Sequence, residues 1–204
     1  MEVWPTLSAI EPTYISIEIR MKCENSKMSE EVPEADRLRL RPYSLDDERA
    51  LYEVFADPYA RTFYPEMADS KNVRAWIEWN IRNYDELGFG LWAVELKVSG
   101  EFIGDCGLTY QDVEGEKKLE VGYHVIQPER GKGYATEAAR ACLDFGFSHT
   151  PCESICSIVR PSNIASCAVA APIHTARREF MRGGIPAVLY YTTRPHWQNS
   201  RMDS

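Results

Sequence analysis

Along this chain the spacing of hydrophobic residues switches repeatedly between two and about three and a half, and each switch marks an element. "RLRLRPYS" alternates apolar and polar as a half-buried strand does. In "SLDDERALYEVF", Leu51, Val54 and Phe55 share one helical face, and Ser44 with Asp47 has capping-box spacing. A second helical pattern follows in "NVRAWIEWNIRNY". Two strand patterns, "FGLWAVELK" and "EFIGDCGLTYQ", are joined by Val98, Ser99 and Gly100, and the turn "DVEGEKK" leads into "LEVGYHVI". After an alanine-rich helical stretch comes the short apolar strand "SICSIV". Next is the helix "SNIASCAVAA", which Pro172 should stop, and then a hairpin over Gly183 and Gly184. The predicted order is strand, two helices, three strands, helix, strand, helix, two strands, a mixed α/β layer fold.

The same patterning sets the boundaries. Residues 1–35 contain three prolines and no sustained period, and are expected to be a disordered or loosely packed extension. Residues 36–194 form the domain and 195–204 a flexible tail. A chain of 204 residues suits one well-cored domain.

Charge sharpens this division. Residues 1–36 hold eight acidic side chains against three basic ones, a balance of −5 out of the chain's −8, so the body is nearly neutral. That excludes the basic footprint of a nucleic-acid binder. The longest apolar run, "IPAVLYY", is too short to cross a bilayer. Six cysteines lie among apolar neighbours without Cys-x-x-Cys or histidine at ligand spacing, which reads as free thiols in a reducing, cytoplasmic setting without a metal.

Candidate chemistry centres on "EVGYHVIQPERGKGYATEAARACLDFGF". Gly131 and Gly133 in the turn "RGKGYA" allow several backbone N–H groups to converge at the positive end of the following helix. That is an anion site, most naturally for a phosphate or pyrophosphate. Ala135, Ala138 and Ala139 keep the helix slim enough to lie close on a sheet. The phosphate spacings Gly-x4-Gly-Lys-Ser/Thr and Gly-x-Gly-x-x-Gly are both missing.

A strand ending in "EVGYHV", then "GKGYATEAA", then a strand, then "RPSNIASCAVA" resembles the GNAT superfamily of acyl-CoA-dependent N-acetyltransferases, and within it the RimJ/RimL branch. The resemblance covers about residues 37–193. It implies the GNAT fold: a mixed, mostly antiparallel sheet of about seven strands, helices on both faces and a splayed central strand pair. Arg130, Gly133 and Ala135 stand at the defining positions of that family's pyrophosphate loop, with Gly131, Lys132 and Tyr134 between them. His124, Val125 and Ile126 would pair their backbone with the pantetheine arm of acetyl-CoA. A bulge near Val125 or Ile126 would offer an N–H to the oxyanion.

Acetyl transfer to an amine needs the amine deprotonated, the oxyanion stabilised and a proton for the thiolate. By the resemblance, Glu120 would be the base, with Glu179 as runner-up and His124 as a further option. Asn163 would contact the cofactor, and Ser166 would contact the sulfur or act as proton donor; both residue types also cap helices. The branch's tyrosine donor and Lys-x-Gly-Phe segment are replaced by "CAVAAPIHTA", so a degenerate acyl-CoA-binding module is the rival reading. The implied acceptor is a primary amine, a protein N-terminus by the branch resemblance and a polyamine or antibiotic otherwise. A homodimer is left open.

Overall fold

The computed structural model describes residues 31–202. Cys23 and most of the expected extension lie outside them. Within them, Leu38–Arg41 forms β1; Glu48–Ala56, Pro58–Phe63 and Ser70–Leu87 form α1, α2 and α3. Strands Leu91–Leu96, Phe102–Val113 and Glu116–Val125 are β2, β3 and β4. They are followed by α4 (Tyr134–His149), β5 (Ser154–Val159), α5 (Ile164–Ile173), β6 (Ala176–Arg182), β7 (Ile185–Thr193) and α6 (Arg194–Met202). One seven-stranded sheet runs β1-β2-β3-β4-β5-β7-β6, antiparallel except where β4 meets β5.

The period-2 pattern sorts the strands onto two cores. Leu38, Leu40, Trp92, Val94, Leu108, Leu119, Val121 and Ile155 face α4, meeting Ala138, Ala139, Cys142 and Phe145. Leu91 and Ala93 face the opposite way, toward Leu51, Val54 and Phe55 of α1 and Val73 and Ile77 of α3. Two of the three arginines of "RLRLR" share a purpose on that second face: Arg39 and Arg41 both pair with the buried Glu95, and Arg41 also grips Asp47. Asp47 in turn accepts from the Ser44 N–H, so the cap and the strand are tied at one carboxylate.

The central pair parts as the family fold requires. β4 and β5 are in register at Leu119↔Ile155 and Glu120↔Cys156. One step further, side chains replace the ladder: the Ser157 hydroxyl donates to the Val121 carbonyl at 2.8 Å, and the Ile158 N–H donates to Glu120 Oε1 at 2.9 Å. A cleft opens beyond that point.

Three expectations change. The segment 195–204 is no flexible tail up to Met202, since α6 packs Trp197 against Phe147 with ring centroids 5.1 Å apart. Pro172 lies inside α5, which ends one residue later, where the missing N–H costs only a last-turn bond. Residues 31–35 are not loose: Pro33 is buried, Val32 and Ala35 pack on the α4-side core, and Glu31 meets His149 at 2.6 Å.

Candidate active site

The cleft has a volume of about 360 Å³ and lies between four walls. Tyr123, His124 and Val125 come from β4; Gly131, Gly133, Tyr134 and Ala135 from the loop and α4. Asn163, Ser166 and Val169 come from α5, and Phe55, Tyr59, Phe63 and Tyr64 from α1, α2 and the turn after α2. Most of the site residues expected from sequence are thus brought together. Ile126, Lys132, Glu120 and Glu179 do not line it.

The loop has the conformation that its glycines predict. Gly131 and Gly133 have φ of +78° and +85°, in the left-handed region that other residues enter only with strain. Gly133 is the N-cap of α4 and has no side chain to satisfy the first amides. Around it, Arg37 binds the Lys132 carbonyl and Glu137 and stacks over Tyr134. Lys132 itself turns outward and pairs with Glu129.

Arg130 is aimed at a carboxylate of the protein itself. Its Nε donates to the Val125 carbonyl at 2.8 Å, and its terminal nitrogens hold Asp57 at 3.2 and 2.6 Å. That hydrogen bonding keeps the Asp57 carboxyl below its ordinary range. Asp57 also caps α2 through the N–H groups of Tyr59 and Ala60. On the facing wall, the Tyr59 hydroxyl donates to Asn163 Oδ1, which also accepts from the Ser166 N–H. Helix α2 is therefore strapped to both sides of the cleft. The Arg130 guanidinium is thus engaged by the protein's own Val125 carbonyl and Asp57 carboxylate.

Expected backbone donors are also resolved by register. Gly104 stands opposite Val125 and Asp105 opposite His124 in an unbroken ladder, so β4 carries no bulge here. The Ile126 N–H donates to Ile103 at 2.8 Å and is consumed. Alternation in an antiparallel pair then turns the Val125 N–H away from β3, into the gap toward β5. Val125, not Ile126, carries the available donor.

The two candidate bases are separated by the sheet. Glu120 shares a face with His124, lies where β4 and β5 part, and burial raises its affinity for a proton. Glu179 is exposed on the edge strand β6, opposite Val188, which packs with Ala170 of α5 on the other face. The structure thus removes Glu179 from the reacting centre.

Sequence reading missed Asp57, Asp105 and Tyr123. Asp57 stood before a proline at a helix start, a recognisable cap. Asp105 stood alone in the apolar "FIGDCGL", and it is fully buried, accepting from Tyr43 and Trp76 and lying 2.6 Å from His124 Nδ1. Tyr123 donates its hydroxyl to the Ser166 carbonyl at 2.8 Å. Asn163 and Ser166 meet as cap and capped residue, the Ser166 N–H donating to Asn163 Oδ1 at 3.2 Å, and both line the cleft.

Comparison with known proteins agrees with this architecture. A family model described as "Acetyltransferase (GNAT) domain" matches residues 37–174. The uncharacterized protein YkkB of Bacillus subtilis is 40% identical over 139 residues, 68% of this chain and 81% of its own. An acetyltransferase from Agrobacterium tumefaciens superposes with a TM-score of 0.69 at 28% identity, covering 82% of this chain and 97% of that one. Two more distant solved structures share the fold. RimL, a ribosomal L7/L12 alpha-N-protein acetyltransferase in complex with coenzyme A, has a TM-score of 0.65 at 18% identity, covering 80% and 98%. The aminoglycoside acetyltransferase AAC(6')-Ib in complex with coenzyme A has a TM-score of 0.67 at 19% identity, covering 80% and 99%. With two thirds of its length matched by the family model and the splayed β4–β5 cleft in place, this chain belongs to the GNAT acetyltransferase family and is an acetyl-CoA-dependent N-acetyltransferase.

Proposed function

We propose that the acceptor is a peptide or protein N-terminal α-amine, acetylated by direct transfer from acetyl-CoA. The observation that carries this is the lining of the cleft. Its acceptor side is aromatic and aliphatic, from Val54, Phe55, Ala60, Phe63 and Tyr64, and among the described residues the one carboxylate lining the cleft, Glu129, is already paired with Lys132. A polycation such as an aminoglycoside or polyamine would find no set of acidic partners there. An α-amine on a small residue needs none, and its pKa near 7.7–8.0 leaves roughly a tenth of it neutral at pH 7.

The residues present suit acetyl-CoA. The uncapped start of α4 at Gly133 would hold the pyrophosphate, and the Val125 N–H, pointing into the gap, would pair with the pantetheine arm or the thioester oxygen. Glu120 would accept the ammonium proton through water, its raised proton affinity bringing it closer to that of the amine. Support for the RimJ/RimL-type acceptor comes also from the shared fold with RimL, although the aminoglycoside enzyme shares it equally.

Thiol release from acetyl-CoA, measured with Ser- and Ala-initiated peptides, spermidine and an aminoglycoside, tests the reading. Mass spectrometry should locate the acetyl group on the peptide α-nitrogen. Turnover of spermidine or the aminoglycoside alone would replace the proposed acceptor, and no turnover of any would favour a non-catalytic acyl-CoA module.

A further inference from the structure

An ammonium has three N–H bonds and the amide product has one, so the reacting nitrogen must lose two protons. One leaves before attack. The other leaves after the C–N bond forms, and the departing thiolate needs it. A single carboxylate set back from the cleft accounts for the first of these transfers only.

We propose that His124 is a second catalytic residue, taking the later proton from the nitrogen and passing it to the leaving sulfur, and that Asp105 is the positioning residue that holds its ring. This rests on the acetyl-transfer chemistry above and adds a residue to it.

The geometry is specific. Asp105 is 0% exposed and accepts three hydrogen bonds, from the Tyr43 hydroxyl at 2.9 Å, the Trp76 indole at 3.2 Å and His124 Nδ1 at 2.6 Å. A buried carboxylate with a hydroxyl and an indole donating to it takes a donor from the imidazole as well, so the proton of a neutral His124 sits on Nδ1. Nε2 is then the bare nitrogen, and among the described residues nothing hydrogen-bonds to it.

The ring is fixed in place by aromatic contacts, Phe55 at 4.9 Å and Tyr64 at 4.7 Å between centroids, and it lines the cleft beside Val125. Gly104 and Asp105 sit directly opposite on β3, and a side chain at Gly104 would strike the His124 carbonyl at 1.9 Å. The strand pair is thus built to bring Asp105 and His124 together. Glu120 lies four residues back on the same face, about 13 Å along the strand from Cα to Cα.

The step balances. The amine nitrogen bonds to the thioester carbon and gives a proton to Nε2, with Asp105 stabilising the imidazolium. The C–S bond breaks, the thiolate takes that proton, and neutral His124 is restored.

Two measurements decide the proposal. His124→Asn keeps a side-chain N–H for Asp105 but offers no basic nitrogen. With a Ser-Ala-initiated peptide as acceptor, kcat should fall by about 10²-fold or more while acetyl-CoA affinity and melting temperature stay close to wild type. Asp105→Asn should lower kcat by about tenfold or more, and imidazole added to His124→Gly should restore rate saturably. A His124→Asn variant within about threefold of wild type, or a folded His124→Gly that imidazole does not rescue, would overturn the role.

The second measurement needs no acceptor. Nitrogen-15 spectra of the full chain, with the His124 signals assigned by difference from His124→Asn, should show the Nδ1–H tautomer in wild type and its loss in Asp105→Asn. An Nε2–H tautomer in wild type sinks the proposal even if the peptide is the correct acceptor. A peptide that fails to react, beside the expected tautomer, removes the acceptor and leaves the His124–Asp105 pair standing.

Discussion

Glu120 has a visible task in the fold beside the base role proposed for it. Its Oε1 replaces the missing ladder partner of the Ile158 N–H, and burial at the strand split raises its proton affinity. A carboxyl whose folded pKa is raised contributes most below its unfolded pKa, and loses that contribution as pH rises through the folded value. Glu120→Gln keeps an acceptor for Ile158 and removes the buried charge. Its melting temperature should therefore exceed wild type increasingly as pH rises above the ordinary carboxyl range and through the raised folded value, while kcat falls by about 10²–10⁴-fold and acetyl-CoA affinity holds. Melting curves and single-turnover rates on one preparation check both halves, and a rate within a few-fold of wild type would remove Glu120 as base. The loop glycines separate conformation from space. Gly131 has nothing within 4 Å of an added Cβ, so Gly131→Ala should cost only the left-handed strain, about 1–2 kcal/mol. Gly133→Glu places a like charge at the uncapped start of α4, and calorimetry should show acetyl-CoA binding lost with the fold intact.

At the scale of elements, those whose signal is local were legible. The alternation of "RLRLRPYS", the capping box at Ser44 and the helical stripes of "ERALYEVF" and "YATEAARACLDFGF" each appear where the periods put them. α6 was not legible because "RPHWQNSRM" has only Trp197 and Met202 as large apolar residues, too few to make a helical stripe. It is held by tertiary contacts, with Arg194 donating to the carbonyls of Cys152, Phe147 and Thr150 and the Trp197 indole reaching Asp144. Arg194→Ala should therefore lower stability by about 2–3 kcal/mol, and the melting temperature by ~4–10 °C, without changing acetyl-CoA affinity. The end of α5 has its own pH signature. His174 is held between Thr192 and Ser157, and burial lowers its pKa to about 4. A histidine kept neutral in the fold lends stability above its unfolded pKa near 6.5 and loses it as pH falls toward 4. From pH 7 to 5 the wild type should lose about 2 kcal/mol more than His174→Asn, an unfolding difference that denaturant titration at the two pH values measures.

Across the whole molecule, the site divides into a part written in one stretch of sequence and a part assembled by folding. The loop from Arg130 to Ala135 and the Asn163 cap are contiguous motifs, so they could be read in advance. The Asp57–Arg130 pair spans 73 positions and the Tyr59–Asn163 bond 104, distances over which no spacing rule operates. Asp105 could be singled out only as a lone acid in an apolar strand; its partners come from three other elements. The N-terminal boundary shows the same limit. Residues 31–36 have no period of their own, yet Val32 and Ala35 pack on the core, Glu34 bridges to Arg39, and Lys97 donates to the Ala35 carbonyl at 2.7 Å. These contacts lie on the α4 side, away from the acceptor wall, so they bear on stability and not on turnover. A chain starting at residue 31 should melt and turn over like the full-length protein. A chain starting at residue 37 should lose about 1–3 kcal/mol, or ~3–10 °C, while binding acetyl-CoA with unchanged affinity. Equal melting of the two truncations would show that residues 31–36 contribute nothing to the fold, and a loss of turnover on removing 1–30 would place that segment against the active cleft.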